Sequence, residues 1–153
     1  MASRPIQQFV KGQTIIKEGS EGDRSFKILR GEVLICKNNE SGQLVPIAKL
    51  GNGEIFGEMY LFDAQKTRSA TVIAVSSEVM VEVYSQTELL TMFETLSVAT
   101  QSIFEGLNLR LKKTSRHYVE MIEQAKTITS MPSEPIQENT VITPHNKLKL
   151  RKP

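Results

Sequence analysis

From Phe9 to Tyr84 the chain is built of short apolar runs, each ended within a few residues by a glycine-bearing turn. That punctuation narrows the fold more than any other feature. Phe9-Val10 and residues 14–17, 25–29 and 32–36 are strand candidates. Between them stand Lys11-Gly12, Glu18-Gly19, Glu21-Gly22-Asp23 and Arg30-Gly31, glycines that turn chemistry alone explains and that need not touch a ligand. Asn38-Asn39-Glu40-Ser41-Gly42 reads as a hairpin tip, and residues 44–50 return from it. Pro46 in that return suits an edge or a bulge, because proline has no N–H for a ladder. Ile55-Phe56 and residues 70–75 and 79–84 complete the set, while residues 1–8, polar and broken by Pro5, read as a lead-in. Strands this short and this close predict a mainly β sandwich or roll.

Helices follow. Ser85-Gln86-Thr87-Glu88 is a capping box in which Ser85 and Glu88 would satisfy each other's free amides, opening a helix through Met92-Phe93. A second, longer helix is expected over about 98–128. Phe104, Leu107, Leu111, Thr114, Tyr118, Met121, Ala125 and Ile128 recur at alternating spacings of three and four, a heptad seam. The spacing favours pairing with a second helix in a parallel homodimer over a single helix laid back on its own sandwich. Thr114 is the polar exception in the seam. A polar group there costs stability unless it has a partner, so it invites a role in register or ligand contact.

The stretch between the strands at residues 55–56 and 70–75 carries the chemistry. Gly57 is free to turn at positive φ, residues 59–64 are long enough for a short helix, and Arg68 returns on the incoming strand. The first turn of a helix leaves unpaired N–H groups and the positive end of a dipole. Arg68 can add two parallel N–H donors, a geometry that fits phosphate and that lysine cannot match. Glu58, acceptor-only when ionised, suits a hydroxyl donor. A phosphate beside a sugar hydroxyl satisfies both.

With Phe56-Gly57-Glu58 and Arg68-Ser69-Ala70 at this separation, the stretch closely resembles the phosphate-binding cassette of cyclic-nucleotide-binding domains, as in catabolite activator proteins, cyclic-nucleotide-dependent kinases and gated channels. The resemblance extends over residues 9–115 and implies a jelly-roll sandwich (a double-stranded β-helix) with a short cassette helix and a long C-terminal dimerisation helix. It implies that Glu58 takes the ribose 2′-hydroxyl and Arg68 the cyclic phosphate, with Met59, Tyr60, Ser69 and Ala70 lining the phosphate. Tyr60 stands where the family has Ala, Gly or Ser, so its side chain would have to turn outward to leave its amide in place. Ser69 is intermediate, since relatives that prefer cyclic AMP often carry Ala or Ser there and those that prefer cyclic GMP often carry Thr. Arg110-Leu111-Lys112-Lys113-Thr114-Ser115 is similar to the helix segment whose Thr-Ser pair reads adenine in catabolite activators, the Ser coming from the partner subunit. Thr114 and Ser115 are thus the base-reading candidates, and cyclic AMP the expected ligand, with cyclic GMP the alternative.

The expected organisation is a binding domain at 1–128 and a flexible, basic, proline-containing tail at 129–153, whose last seven residues hold Lys147, Lys149, Arg151 and Lys152 without an acid. Four prolines in that tail leave no room for a helix-turn-helix, so no DNA binding by this chain is expected. No apolar run approaches a membrane span, and with Cys36 the only cysteine no internal disulfide can form, which favours the cytoplasm. A net charge of +2 is too small to imply nucleic-acid binding by the domain. The only histidines are His117 and His145, too few and too far apart in sequence for a jelly-roll metal site or a nucleophilic triad, so neither a metal nor catalysis is expected. Two functions remain: a stand-alone cyclic-nucleotide sensor that signals through its long helix to a separate effector protein, or a ligand-free interaction module that keeps the fold, the reading Tyr60 favours.

Overall fold

The computed structural model of the protein describes residues 3–130. The expected tail lies outside the described residues from 131 onward, and its first two positions, Thr129 and Ser130, are still helical. The strands are β1 (Ile6–Val10), β2 (Thr14–Ile16), β3 (Arg24–Arg30), β4 (Val33–Asn38), β5 (Leu44–Leu50), β6 (Ile55–Phe56), β7 (Thr71–Ala74) and β8 (Glu78–Ser85); the helices are α1 (Gln86–Glu94) and α2 (Val98–Ser130). They form two four-stranded sheets, in the orders β1-β8-β3-β6 and β2-β7-β4-β5, with every pair antiparallel. This is the sandwich that the short, glycine-punctuated runs predict.

Alternation explains why β8 sits where it does. Val79, Val81 and Val83 point inward and are buried, while Glu78, Met80, Glu82 and Tyr84 lie on the other face. They pack in one core with Ile16, Phe26, Ile28, Val33, Phe56, Val72 and Ala74 drawn from both sheets, and the Phe26 and Phe56 rings stack with centroids 5.2 Å apart. Pro46 takes both of its expected options. It lies on the edge strand β5, at the register shift where Cys36 faces Pro46 and Ile35 faces Ala48.

Three expectations need correction. The lead-in is partly strand: Ile6 to Val10 pair with Glu82 to Glu78, and the Val83 amide donates to the Pro5 carbonyl at 2.9 Å. Main-chain bonds hold this edge, and Ile6 and Val10 stay exposed, so no side-chain pattern announces it. The capping box is half formed. Ser85 Oγ accepts from the Glu88 amide at 3.3 Å, but the Glu88 carboxylate turns to Arg4, whose Nε donates at 2.8 Å. The expected helix at 59–64 is a tighter and shorter 3-10 turn, Met59–Phe62.

Helix α2 lies back on its own sandwich, one of the two arrangements open from its sequence. Val119 is the helix's one buried residue, with Lys112 and Ser115 partly covered beside it. The seam residues Phe104, Leu107, Leu111, Tyr118, Met121 and Ile128 are largely exposed, although Phe104 meets Phe93 edge-on and Leu111 and Tyr118 also border the cavity described below. No helix among the described residues is long and apolar enough to cross a membrane.

Candidate functional site

Arg68 is built into the wall of the domain. Its backbone is pinned on both sides, its amide donating to the Ser20 carbonyl at 2.8 Å and its carbonyl accepting from the Gly19 amide at 2.9 Å. Its side chain is 7% exposed, and Nη1 donates to the Gly57 carbonyl at 2.7 Å. Gly57 has φ +79°, and a Cβ there would lie 3.0 Å from Nη1, so both conformation and space require glycine. Among the described residues no carboxylate forms an ion pair with Arg68. Burial pulls its pKa below the ordinary arginine value, with the nearby Tyr60, Asp23 and Glu58 pulling the other way.

Tyr60 does not turn outward. Its ring is 1% exposed and lies inside the domain beneath Arg68, with the guanidinium carbon 4.8 Å from the ring centroid. Gly22 makes the space: a Cβ there would come within 2.7 Å of Tyr60 Cγ and 3.0 Å of Arg68 Nε. Turn chemistry is therefore an incomplete account of Gly22. A side chain at that position would displace the tyrosine.

Glu58 stands at the head of the 3-10 turn without capping it. Beyond its own backbone, its carboxylate has no hydrogen-bond or ion-pair partner among the described residues, and burial raises its pKa above the ordinary carboxylate value. Glu58 and Arg68 open on one cavity of about 460 Å³, which Phe56, Gly57, Met59 and Tyr60 line from the turn side. Ser69 and Ala70 line it from the incoming strand. Ser69 Oγ lies 3.3 Å from the Met59 sulfur, which ties the two sides of the cassette together. Thr114 and Ser115 of α2 border the same cavity from above, together with Leu111, Lys112 and Tyr118. All of the predicted site residues thus come to one space. Its remaining wall, Ile35, Ile47, Ala48 and Leu50, is apolar and would accept a flat ring.

Two supports escaped the sequence reading. Lys37 reaches across the floor to donate to the Ser69 carbonyl at 2.5 Å and to Glu18 at 3.1 Å, while Glu18 also accepts from the Asn38 amide at 2.7 Å. Asp63, just past the 3-10 turn, pairs with Lys112 of α2 and tethers the helix to the cassette. Both pairs join positions far apart in sequence, and only a charged residue amid apolar neighbours, as at Lys37, could have signalled either.

With this geometry established, comparison with known proteins is direct. The family model described as the cyclic nucleotide-binding domain matches residues 6–95, more than half of the chain. The chain belongs to the cyclic nucleotide-binding domain family. Among its relatives is a CRP-like cAMP-activated global transcriptional regulator of Mycobacterium tuberculosis, 28% identical over 115 residues, which are 74% of this chain and 50% of that protein. Human cGMP-dependent protein kinase 2 is 31% identical over 140 residues, 86% of this chain and 18% of the kinase. A similar solved structure is the cAMP-bound form of the EAL enzyme Bd1971, with TM-score 0.67 and 32% identity over 82% of this chain and 33% of that one. Its cGMP-bound form matches with TM-score 0.66 and 31% identity over 82% of this chain and 33% of that one. The chain spans about half the length of the transcriptional regulator it matches and smaller shares of the kinase and the EAL enzyme. Among the described residues, no cluster of three or more His, Cys, Asp or Glu side chains could hold a metal ion.

Proposed function

We propose that this cyclic nucleotide-binding domain takes cyclic AMP into the cavity between the cassette and α2, with Arg68 on the phosphate, Glu58 on the ribose hydroxyl, and Thr114 and Ser115 on the base. The observation that carries this reading is that Arg68, with no carboxylate partner, and the half-buried Glu58, with no side-chain partner, both counted among the described residues, open on one cavity. Phosphate and sugar hydroxyl would satisfy the two together. Its volume lies in the range of about 300–1,000 Å³ usual for small-molecule sites. Met59, Tyr60, Ser69 and Ala70 would offer backbone around the phosphate, while Phe56 stacks on Phe26 and steadies the turn. Binding would draw α2 and the Asp63-tethered turn together and change the surface shown to a separate effector protein.

Two copies of the chain would pair through the α2 seam within residues 104–128, which is heptad-spaced, mostly apolar and largely exposed, with Leu111, Thr114 and Tyr118 also bordering the cavity. The binding domain would be residues 1–128, and residues 129–153 a separate basic tail. Cytoplasmic action fits the free, buried thiol of Cys36. A second reading, cyclic GMP as ligand, draws support from a similar structure that holds either nucleotide.

Isothermal calorimetry tests the core of the proposal. Arg68→Leu is expected to weaken cyclic AMP binding at least thirty-fold, for a loss of about 2–5 kcal/mol. Glu58→Ala is expected to cost about 1.5–3 kcal/mol for its charged hydrogen bond. Unchanged affinity in both variants removes the mechanism. Tighter binding of cyclic GMP than of cyclic AMP reverses the base assignment alone.

A further inference from the structure

We infer that Tyr60 is a positioning residue for anion recognition, its ring face holding the Arg68 guanidinium from below in an orientation that leaves the charge for the ligand. The inference rests on the cyclic-nucleotide reading only for the identity of the anion. Arg68 is nearly sealed from water, and a buried cation needs a compensating group. A carboxylate would supply one, but it would occupy N–H donors and place negative charge beside an incoming phosphate. The face of an aromatic ring attracts the cation while consuming no donor and adding no net charge. The Tyr60 centroid lies 4.8 Å from the guanidinium carbon, inside the limit of about 6 Å for this interaction. Among the described residues only Nη1 is occupied by a protein acceptor, the Gly57 carbonyl.

Two further observations separate the ring from an ordinary core filler. Among the described residues the buried Tyr60 hydroxyl has no hydrogen bond of ordinary geometry, the Ser25 hydroxyl being its polar neighbour, so the phenol's polar end does not explain its placement. Gly22 leaves a gap shaped to the ring and to Arg68 Nε together, since its missing Cβ would touch both. The tyrosine, the glycine and the arginine form one unit.

Three substitutions and two readouts test this. Calorimetry with cyclic AMP is expected to give Tyr60→Phe an affinity within about two-fold of the unaltered protein, because the ring is retained. Tyr60→Leu, which keeps apolar bulk and loses the π face, is expected to weaken binding about five- to thirty-fold. In ¹H–¹⁵N spectra the Arg68 Nε–H resonance is expected to keep its ring-current shift in Tyr60→Phe and to lose it in Tyr60→Leu. Should Tyr60→Leu fail to fold, Tyr60→Met replaces it with the same two expectations. Unaltered affinity in the leucine or methionine variant, or an unmoved resonance, overturns the inference. Should the unaltered protein bind neither cyclic AMP nor cyclic GMP, the ligand reading fails by itself, and the resonance alone decides the role of Tyr60.

Discussion

The sandwich and the long helix are held in place by different amounts of buried surface. In β8, eight residues long, three valines are closed off between two sheets, and β1 and β3 flank the strand on both sides. In α2, 33 residues long, one side chain is buried, Val119, and one ion pair, Asp63 with Lys112, reaches the cassette. The rigid region carries Arg68 and fixes its geometry; the lightly held region carries Thr114 and Ser115. On the proposed reading, a site divided in this way would hold phosphate in a preformed cradle while the base contact closes over it, because local stability follows the density of buried contacts. The largest expected effect probes the rigid side. Val81→Asp places an unpaired carboxylate between the sheets and should remove about 4–5 kcal/mol or more. Loss of the cooperative thermal transition, followed by far-ultraviolet circular dichroism, is the expected result, and a melt like that of the unaltered protein would break the contrast.

The same change on the helix should do much less. Val119→Asp removes the one apolar anchor of α2, about 1.5–3 kcal/mol of burial, from an element that the sandwich core does not need. Hydrogen exchange is the appropriate measurement, because it resolves the two regions separately. Amides of α2 are expected to exchange faster while those of β3 and β8 keep their protection. Equal acceleration in β8 would mean that helix and sandwich form one cooperative unit.

This division also explains which features could be read from the sequence. Val79, Val81 and Val83 recur at every second position in a β-branched run, so β8 was visible in side-chain pattern alone. Glu58 and Arg68 were visible because cassette chemistry needs particular residue types at a short separation along the chain. What stayed hidden depends on contacts between distant segments. Strand β1 is held by main-chain bonds to β8, which leave no trace in the pattern of IQQFV. The Glu88 carboxylate is drawn from its own helix cap by Arg4, 84 positions earlier. Gly22 looked like any turn glycine until folding put Tyr60 and Arg68 against it. In α2, the heptad periodicity picked out residues that are exposed in the structure, but the buried row at Val119 lies among Lys112 and Ser115 and carries too little apolar character to register.

The smallest expected effect sharpens the comparison between the two charged groups of the cavity. Arg68 stays cationic across any working pH, since burial lowers a very high pKa. Glu58 differs, because burial raises its pKa above the ordinary carboxylate value and outweighs the opposing pull of its backbone hydrogen bond and of Arg68. A folded pKa above the unfolded one means the protonated carboxyl suits the empty fold better. That stabilisation is full below the unfolded pKa and is lost as pH rises through the folded pKa. A sugar hydroxyl donating to the carboxylate favours the ionised form instead, so binding must release a proton wherever free Glu58 is protonated. Affinity for cyclic AMP should therefore climb as pH rises through the Glu58 titration, by less than ten-fold per pH unit for one proton, and then level off. Calorimetry in buffers of different ionisation enthalpy measures the proton directly, and Glu58→Gln should abolish both the release and the slope. A slope that survives in Glu58→Gln would assign the titration to another group and leave Glu58 without the hydroxyl-accepting role.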